Sequence, residues 1–219
     1  MNRAVLAGAV AFLLASVMPC QAQDRISMRG FANAGLTIFT ATQSFKAILG
    51  SPAGPVFGGG LEVGLTRNVF VSVGASRFRQ TGNRVFVFQN QVFKLNESDT
   101  ITVTPLQLSA GYRFLGRRPA RLTRPPRLIP YAGGGVGWYR FSETSAHSTA
   151  DEDEKTTNAG YHILAGVETP IRSWMAAAVD GRWSFVPNAF GDSASSVASV
   201  YDEHNLGGFT LSGRIIVGR

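Results

Sequence analysis

Cysteine is nearly missing: Cys20 is the only one in 219 residues. That excludes an intramolecular disulfide and any zinc site built on cysteine thiolates. Charge is also scarce, with Asp, Glu, Lys and Arg together at 16% against 44% hydrophobic residues, a balance that excludes a disordered chain. After the first two dozen positions there is no run of about 18 apolar residues, so nothing there reads as a spanning helix. Glycine is plentiful, at 25 residues, yet no Gly-X-Y repeat accompanies the 10 prolines, and a collagen-like chain is excluded. Neither GxGxxG nor GxxxxGK[ST] occurs, so Gly133-Gly134-Gly135 is not a phosphate loop.

The N-terminus reads as an export signal. Met1 to Arg3 is short and positive, Ala4 to Met18 is apolar, and Pro19-Cys20-Gln21-Ala22 follows. This order predicts a secretory signal peptide over 1–22, cleaved after Ala22, and one domain over 23–219. A membrane anchor is disfavoured by the shortness of the run, and a lipid-modified Cys20 by Pro19 directly before it.

From there the chain alternates in twos. Ile26, Met28, Gly30, Ala32, Ala34, Leu36 and Ile38 fall on one face, against Arg25, Ser27, Arg29, Phe31, Asn33, Gly35 and Thr37 on the other. Period two means an extended strand with different surroundings on its two sides. The pattern returns around residues 57–65, 69–76, 106–114, 130–141, 158–168, 175–185 and 209–217, giving eight strands. The connections alternate in length. Long ones are expected at about Thr40–Gly54, Arg79–Asp99, Ser142–Thr157 and Pro187–Asn205, and shorter ones at Thr66–Asn68, Leu115–Ile129 and Pro170–Ser173. Long connections at one end and short ones at the other are the asymmetry of an outer-membrane barrel. An even strand number puts both termini on the periplasmic side. Aromatic residues, among them Phe31, Phe39, Phe57, Phe70, Tyr112, Phe114, Tyr131, Trp138, Tyr139, Phe141, Trp174, Trp183 and Phe185, cluster near strand ends as interface girdles would.

Several stretches resemble a known family. They are Gly58-Gly-Gly-Leu-Glu-Val-Gly64, Pro105-Leu-Gln-Leu-Ser-Ala-Gly-Tyr-Arg-Phe114, Pro130-Tyr-Ala-Gly-Gly-Gly-Val-Gly137 and Val179-Asp-Gly-Arg-Trp183. Together with the N-terminal signal they resemble the OmpA/OmpX-like outer-membrane β-barrels, also called the porin family or OmpA-like transmembrane domain. The resemblance covers the whole mature chain and implies an all-β fold, an eight-stranded antiparallel up-and-down transmembrane β-barrel. It implies residence in the outer membrane of a Gram-negative-type bacterium, among outer-membrane lipid. Such barrels commonly end in an aromatic residue, whereas this chain ends Ile215-Ile-Val-Gly-Arg219. No peptidoglycan-binding domain is expected after the eighth strand.

In such a barrel the polar face fills the lumen. The inward set is expected to be Glu62, Arg113, His162, Glu168, Asp180, Arg182 and Arg214, joined as an ion-pair network because isolated buried ions are costly. No catalytic residue is assigned. His162 is the candidate base of a lipid-modifying enzyme, but no serine stands two residues from a histidine on one strand face with a carboxylate nearby. Asp202-Glu203-His204 has the donors for a divalent ion, yet a solvated loop is the simpler expectation, and neither metal nor cofactor is assigned. Asp151-Glu-Asp-Glu-Lys155 reads as a loop tip, and Asn96-Glu97-Ser98 matches a glycosylation sequon.

The net charge of +7 is concentrated in Arg117, Arg118, Arg121, Arg124 and Arg127, interleaved with prolines. A short Pro-rich turn without stacking aromatics is no nucleic-acid surface, and anionic headgroups suit it better. The expectation is therefore a monomeric, non-enzymatic barrel with a closed lumen, serving envelope integrity or adhesion through long loops that meet extracellular ligands. The alternatives are a narrow pore for small solutes or ions, an outer-membrane lipid-modifying enzyme, and a soluble exported barrel.

Overall fold

Strict alternation along the chain gives eight long strands and little else. The computed structural model describes residues 26–88, 91–115, 128–145, 154–187, 189 and 197–218. In order these are β1 (Ser27–Phe39), α1 (Thr42–Leu49), β2 (Ala53–Gly64), β3 (Val69–Phe88), β4 (Gln91–Arg113), β5 (Ile129–Ser145), β6 (Glu154–Arg172), β7 (Met175–Phe185), the single turn α2 (Val197–Val200) and β8 (Gly208–Gly218). Each strand pairs antiparallel with the next, and β8 returns to β1 from Arg29↔Gly218 to Phe39↔Gly208, so the sheet closes into a barrel. Among the described residues no helix is long and apolar enough to cross a membrane; the strands are the only candidates for that task.

The two faces are inverted relative to a water-soluble protein. Leu36 and Ile163 are 61% and 65% exposed, while Glu62 and Asp180 are 2% and 1% exposed. Met28, Phe57, Leu108, Val136, Val179 and Leu211 join the outward apolar surface, and a band of that kind is stable only against hydrocarbon. Trp174 and Trp183, both half exposed, flank Val179 at the two ends of β7. The aromatics expected as girdles thus divide. Phe57, Tyr112, Phe114, Trp138, Trp174 and Trp183 face out, whereas Phe39, Phe70, Tyr131, Tyr139 and Phe141 are buried inside. A residue near a strand end can lie on either face, and the parity of its position decides which.

The connections also depart from the sequence reading. The segment from Arg79 to Asp99 is not a loop: β3 and β4 run to 20 and 23 residues, about twice the 9–11 needed to cross. Pairing of β3 with β2 stops at Val56↔Phe78, and pairing of β4 with β5 stops at Asp99↔Ser145. Beyond those points β3 and β4 pair only with each other, up to Phe88↔Gln91, with a bulge between Asn83 and Val85. The result is a two-stranded ribbon rising above the rim.

The β1–β2 connection holds α1, which lacks a side-chain cap of its own at Ala41 and ends at Gly50 in the left-handed region, φ 77°. The short turn before β3 is held by the Thr66 hydroxyl, which accepts from the amides of Asn68 and Val69. The arginine-rich run 117–127, His147 and Asp151 to Asp153 lie outside the described residues, while Glu154 and Lys155 open β6.

A charge on the lipid face is costly in proportion to depth. Val179→Arg, at the middle of β7, is expected to cost about 2–4 kcal/mol of folding free energy. Ser98→Arg on the ribbon is expected to cost less than about 0.5 kcal/mol. Urea titration of refolding into phospholipid vesicles measures both.

Candidate functional site

The lumen carries the chemistry, and its polar residues are set by strand parity. At the end nearest the short turns, four side chains from four strands form a closed square. Arg29 of β1 donates to Glu62 Oε1 from Nε at 2.9 Å and from Nη2 at 2.5 Å. It also reaches Glu168 Oε1 from Nη1 at 2.6 Å and Oε2 from Nη2 at 3.0 Å. Arg113 of β4 meets the same two carboxylates, Glu62 at 2.5 Å and Glu168 at 3.3 Å. Two guanidiniums and two carboxylates alternate, so the square is neutral and ties β1 and β2 to β4 and β6 across the lumen.

A second cluster sits beside it. Asp180 of β7 accepts from Arg214 Nη2 at 2.7 Å, the Tyr131 hydroxyl at 3.1 Å and Ser212 Oγ at 3.2 Å. Aromatic faces cover the cations: Arg113 lies 4.5 Å from the Phe70 ring centroid and Arg214 lies 4.7 Å from that of Phe31, a geometry in which ring quadrupoles attract a desolvated guanidinium. Glycines make room for these rings. A Cβ at Gly60 would stand 2.9 Å from the Phe31 ring, and one at Gly111 would stand 2.3 Å from that of Phe70.

Two of the expected partners stand apart from any carboxylate pairing. His162 Nε2 shares a hydrogen bond of 2.8 Å with Ser109 Oγ, and its Nδ1 is buried without a partner. Arg182 donates to the Gln107 side-chain carbonyl, Gln107 donates in turn to the Tyr139 hydroxyl at 2.8 Å, and Arg182 Nε has no partner. The physical reason is that both stand further toward the outer end than the square. Arg182 is attracted by Asp180, two residues before it on β7, but the hydrogen bonds of that carboxylate go to Arg214, Tyr131 and Ser212, and the charged neighbour of His162 is Arg182.

Sequence reasoning missed Arg29, although it stands on the polar face of β1 between Ser27 and Phe31; position parity alone was signal enough. It also missed Ser109, because that residue meets His162 over Gly135 of the intervening β5 rather than along one strand. The Ser109–His162 pair has a nucleophile and a base but no third group to orient the ring, and both residues are buried.

The far end is shut by a different device. Phe45 and Ile48 of α1 pack into a core with Phe39, Phe78, Ile101, Val103, Phe141, Val186 and Leu206, and the Phe45 ring stacks on Phe39 at 4.2 Å. Asp202, Glu203 and His204, weighed as divalent-ion donors and read as a solvated loop, are engaged separately. Glu203 instead accepts the amides of Gln43 and Ser44 at 2.9 and 2.8 Å, capping the exposed N–H groups of α1, while Asp202 pairs with His204 at 3.0 Å. Among the described residues no group of three or more His, Cys, Asp or Glu is placed to hold a metal.

Removing one member of a buried ion network leaves an uncompensated charge. Glu62→Gln is expected to lose about 3–5 kcal/mol of stability. The double variant Glu62→Leu/Arg113→Met, which leaves the Arg29–Glu168 pair neutral, is expected to lose less than Glu62→Gln alone. Urea unfolding followed by tryptophan fluorescence compares them.

Comparison with known proteins agrees with this architecture. The sequence matches the family described as outer membrane protein beta-barrel domain over residues 8–206. Among curated proteins none matches. Neisserial surface protein A is similar in structure, with a TM-score of 0.53 at 13% identity, covering 88% of this chain and 97% of that one. The N-terminal β-barrel domain of Pseudomonas aeruginosa OprF gives 0.46 at 12% identity over 89% and 100%, and P. aeruginosa OprG gives 0.47 at 14% over 90% and 97%. With a closed eight-stranded sheet, an apolar exterior and a family match over most of its length, the chain belongs to the outer-membrane protein β-barrel domain family and resides in the Gram-negative outer membrane.

Proposed function

We propose that this barrel is a non-enzymatic, monomeric surface protein whose lumen is closed to solutes and whose working part is its outer face, in envelope integrity or adhesion. The observation that carries the reading is the double closure. The Arg29–Glu62–Arg113–Glu168 square blocks one end, and α1 seated on Phe39 and Phe78 blocks the other. An eight-stranded barrel is only wide enough inside for side chains, so either closure alone suffices to stop a hydrated ion. Residues 1–22 serve as the export signal, and outer-membrane lipid is the constant partner of the outward apolar band. The β3–β4 ribbon, which stands clear of the other strands, is the surface offered to extracellular ligands.

Enzymatic work on lipid is disfavoured because Ser109 and His162 face the lumen and are buried, away from hydrocarbon. A narrow pore would need both closures to move together. In planar bilayers the purified barrel is expected to give no discrete conductance steps; steady steps from the unmodified protein would establish the pore instead. Deleting 83–98 is expected to leave the heat-dependent gel shift of the folded barrel intact while reducing adhesion or detergent resistance of expressing cells. Unchanged values of both would rule out a role for the ribbon.

A further inference from the structure

Between the two closures lies a partly open cavity of about 50 Å³, room for a few water-sized groups. Arg182, Gln107, Ser184, Thr210, Ser76 and Tyr139 line its polar side. Among the described residues lining it there is no carboxylate. The carboxylates below are already engaged: Glu62 and Glu168 in the square, and Asp180 by Arg214, Tyr131 and Ser212. Asp99, the buried carboxylate of the outer rim, is eight residues further along β4 than Gln107, roughly 27 Å at 3.4 Å per residue.

The lumen therefore holds four guanidiniums, those of Arg29, Arg113, Arg182 and Arg214, against three carboxylates in the same stretch. Arg182 is attracted by Asp180, two residues before it on β7, but the ion pair of that carboxylate goes to Arg214, so Arg182 is the guanidinium left without a hydrogen-bonded carboxylate. A desolvated cation whose only described hydrogen-bond acceptor is an amide oxygen is an incomplete arrangement. Its Nε is left without an acceptor, and Ser184 and Ser76 line the same cavity.

We propose that this cavity is an internal binding site for a small monovalent anion, of the size of chloride, formate or acetate, with Arg182 as the counter-charge. The hydroxyls of Ser184 and Ser76 supply further donors, while that of Thr210 is bonded to Thr37 at 2.9 Å, and a guanidinium is the side chain best suited to take a planar carboxylate through two parallel N–H groups. The apolar side of the wall, from Phe78, Val103 and Leu206, favours a weakly hydrated or methyl-bearing anion over sulfate. The roof of the cavity is the core on which α1 sits, so entry is from the outer side, by displacement of α1, and the square stays shut. The site does not depend on the surface role proposed above.

Gln107→Glu tests this with almost no change of shape, because it gives Arg182 an internal carboxylate that replaces the external one. The measurement is the thermal midpoint of the barrel in detergent micelles, at fixed ionic strength, in sodium chloride, formate or acetate against sodium gluconate, which is too large to enter. The unmodified protein is expected to show a higher midpoint in the three small anions, rising with the logarithm of their concentration. Gln107→Glu and Arg182→Met are expected to lose that difference, and Gln107→Glu to match or exceed the unmodified midpoint in gluconate.

Chloride-35 NMR gives a second readout. Line broadening by the unmodified barrel is expected to be displaced by formate and to be missing in Gln107→Glu, which holds even if Arg182→Met fails to fold. Equal midpoints in all four salts without displaceable broadening, or anion dependence fully retained in Gln107→Glu, would overturn the proposal.

Discussion

Hydrocarbon offers a backbone no hydrogen bonds, and that single restriction dictates the rest of this molecule. Every N–H and C=O at membrane depth must find its partner within the protein, which leaves helices and closed sheets as the ways to cross. This chain uses a closed sheet, completed by the eleven register pairs between β1 and β8 from Arg29↔Gly218 to Phe39↔Gly208. Closure without an edge then fixes the side-chain problem. One face of every strand must suit lipid and the other must fill a space too narrow for bulk water.

The filling is a polar core built on charge neutrality and shielding. Arg29, Arg113, Glu62 and Glu168 cancel one another in the square, and Asp180 offsets Arg214. Phe70 and Phe31 cover the guanidiniums of Arg113 and Arg214, and the glycines opposite those rings turn bare backbone into the space they occupy. The abundance of glycine is thus tied to the buried aromatics, and the aromatics to the buried cations. At the outer end the same width is filled by an apolar plug, held in place because Glu203 of the β7–β8 connection supplies the cap that α1 lacks.

Most of the fold was legible in the residues, since a barrel in lipid writes its period into each strand. Leu36, Ile163, Glu62 and Asp180 lie on the faces that alternation assigns. What was hidden has specific causes. The ribbon of β3 and β4 lies beyond the closed barrel and meets α1 where Gly82 approaches Ile48, so lipid imposes no alternation on it, and the stretch from Arg79 to Asp99 reads as a loop. Phe31 and Phe70 sit on polar faces, where a phenylalanine looks like noise until the cation beneath it is seen. Arg29 was visible by parity, but its two carboxylates come from strands 33 and 139 residues away, and no local spacing encodes such a meeting. His162 and Arg182 were legible as inward residues, while the pairing of Asp180 with Arg214 rather than with its β7 neighbour Arg182 depends on register across β7 and β8.

The pairing of β1 with β8 has a temporal meaning as well as a spatial one. The first strand of the domain stays half satisfied until the last one arrives, and the join spans nearly the whole length of the domain. Nothing resembling the finished cylinder can exist while the polypeptide is still emerging, and contacts this distant in sequence make for slow maturation. An open-seamed precursor, with two raw edges and a greasy exterior, must be escorted from synthesis to its final bilayer.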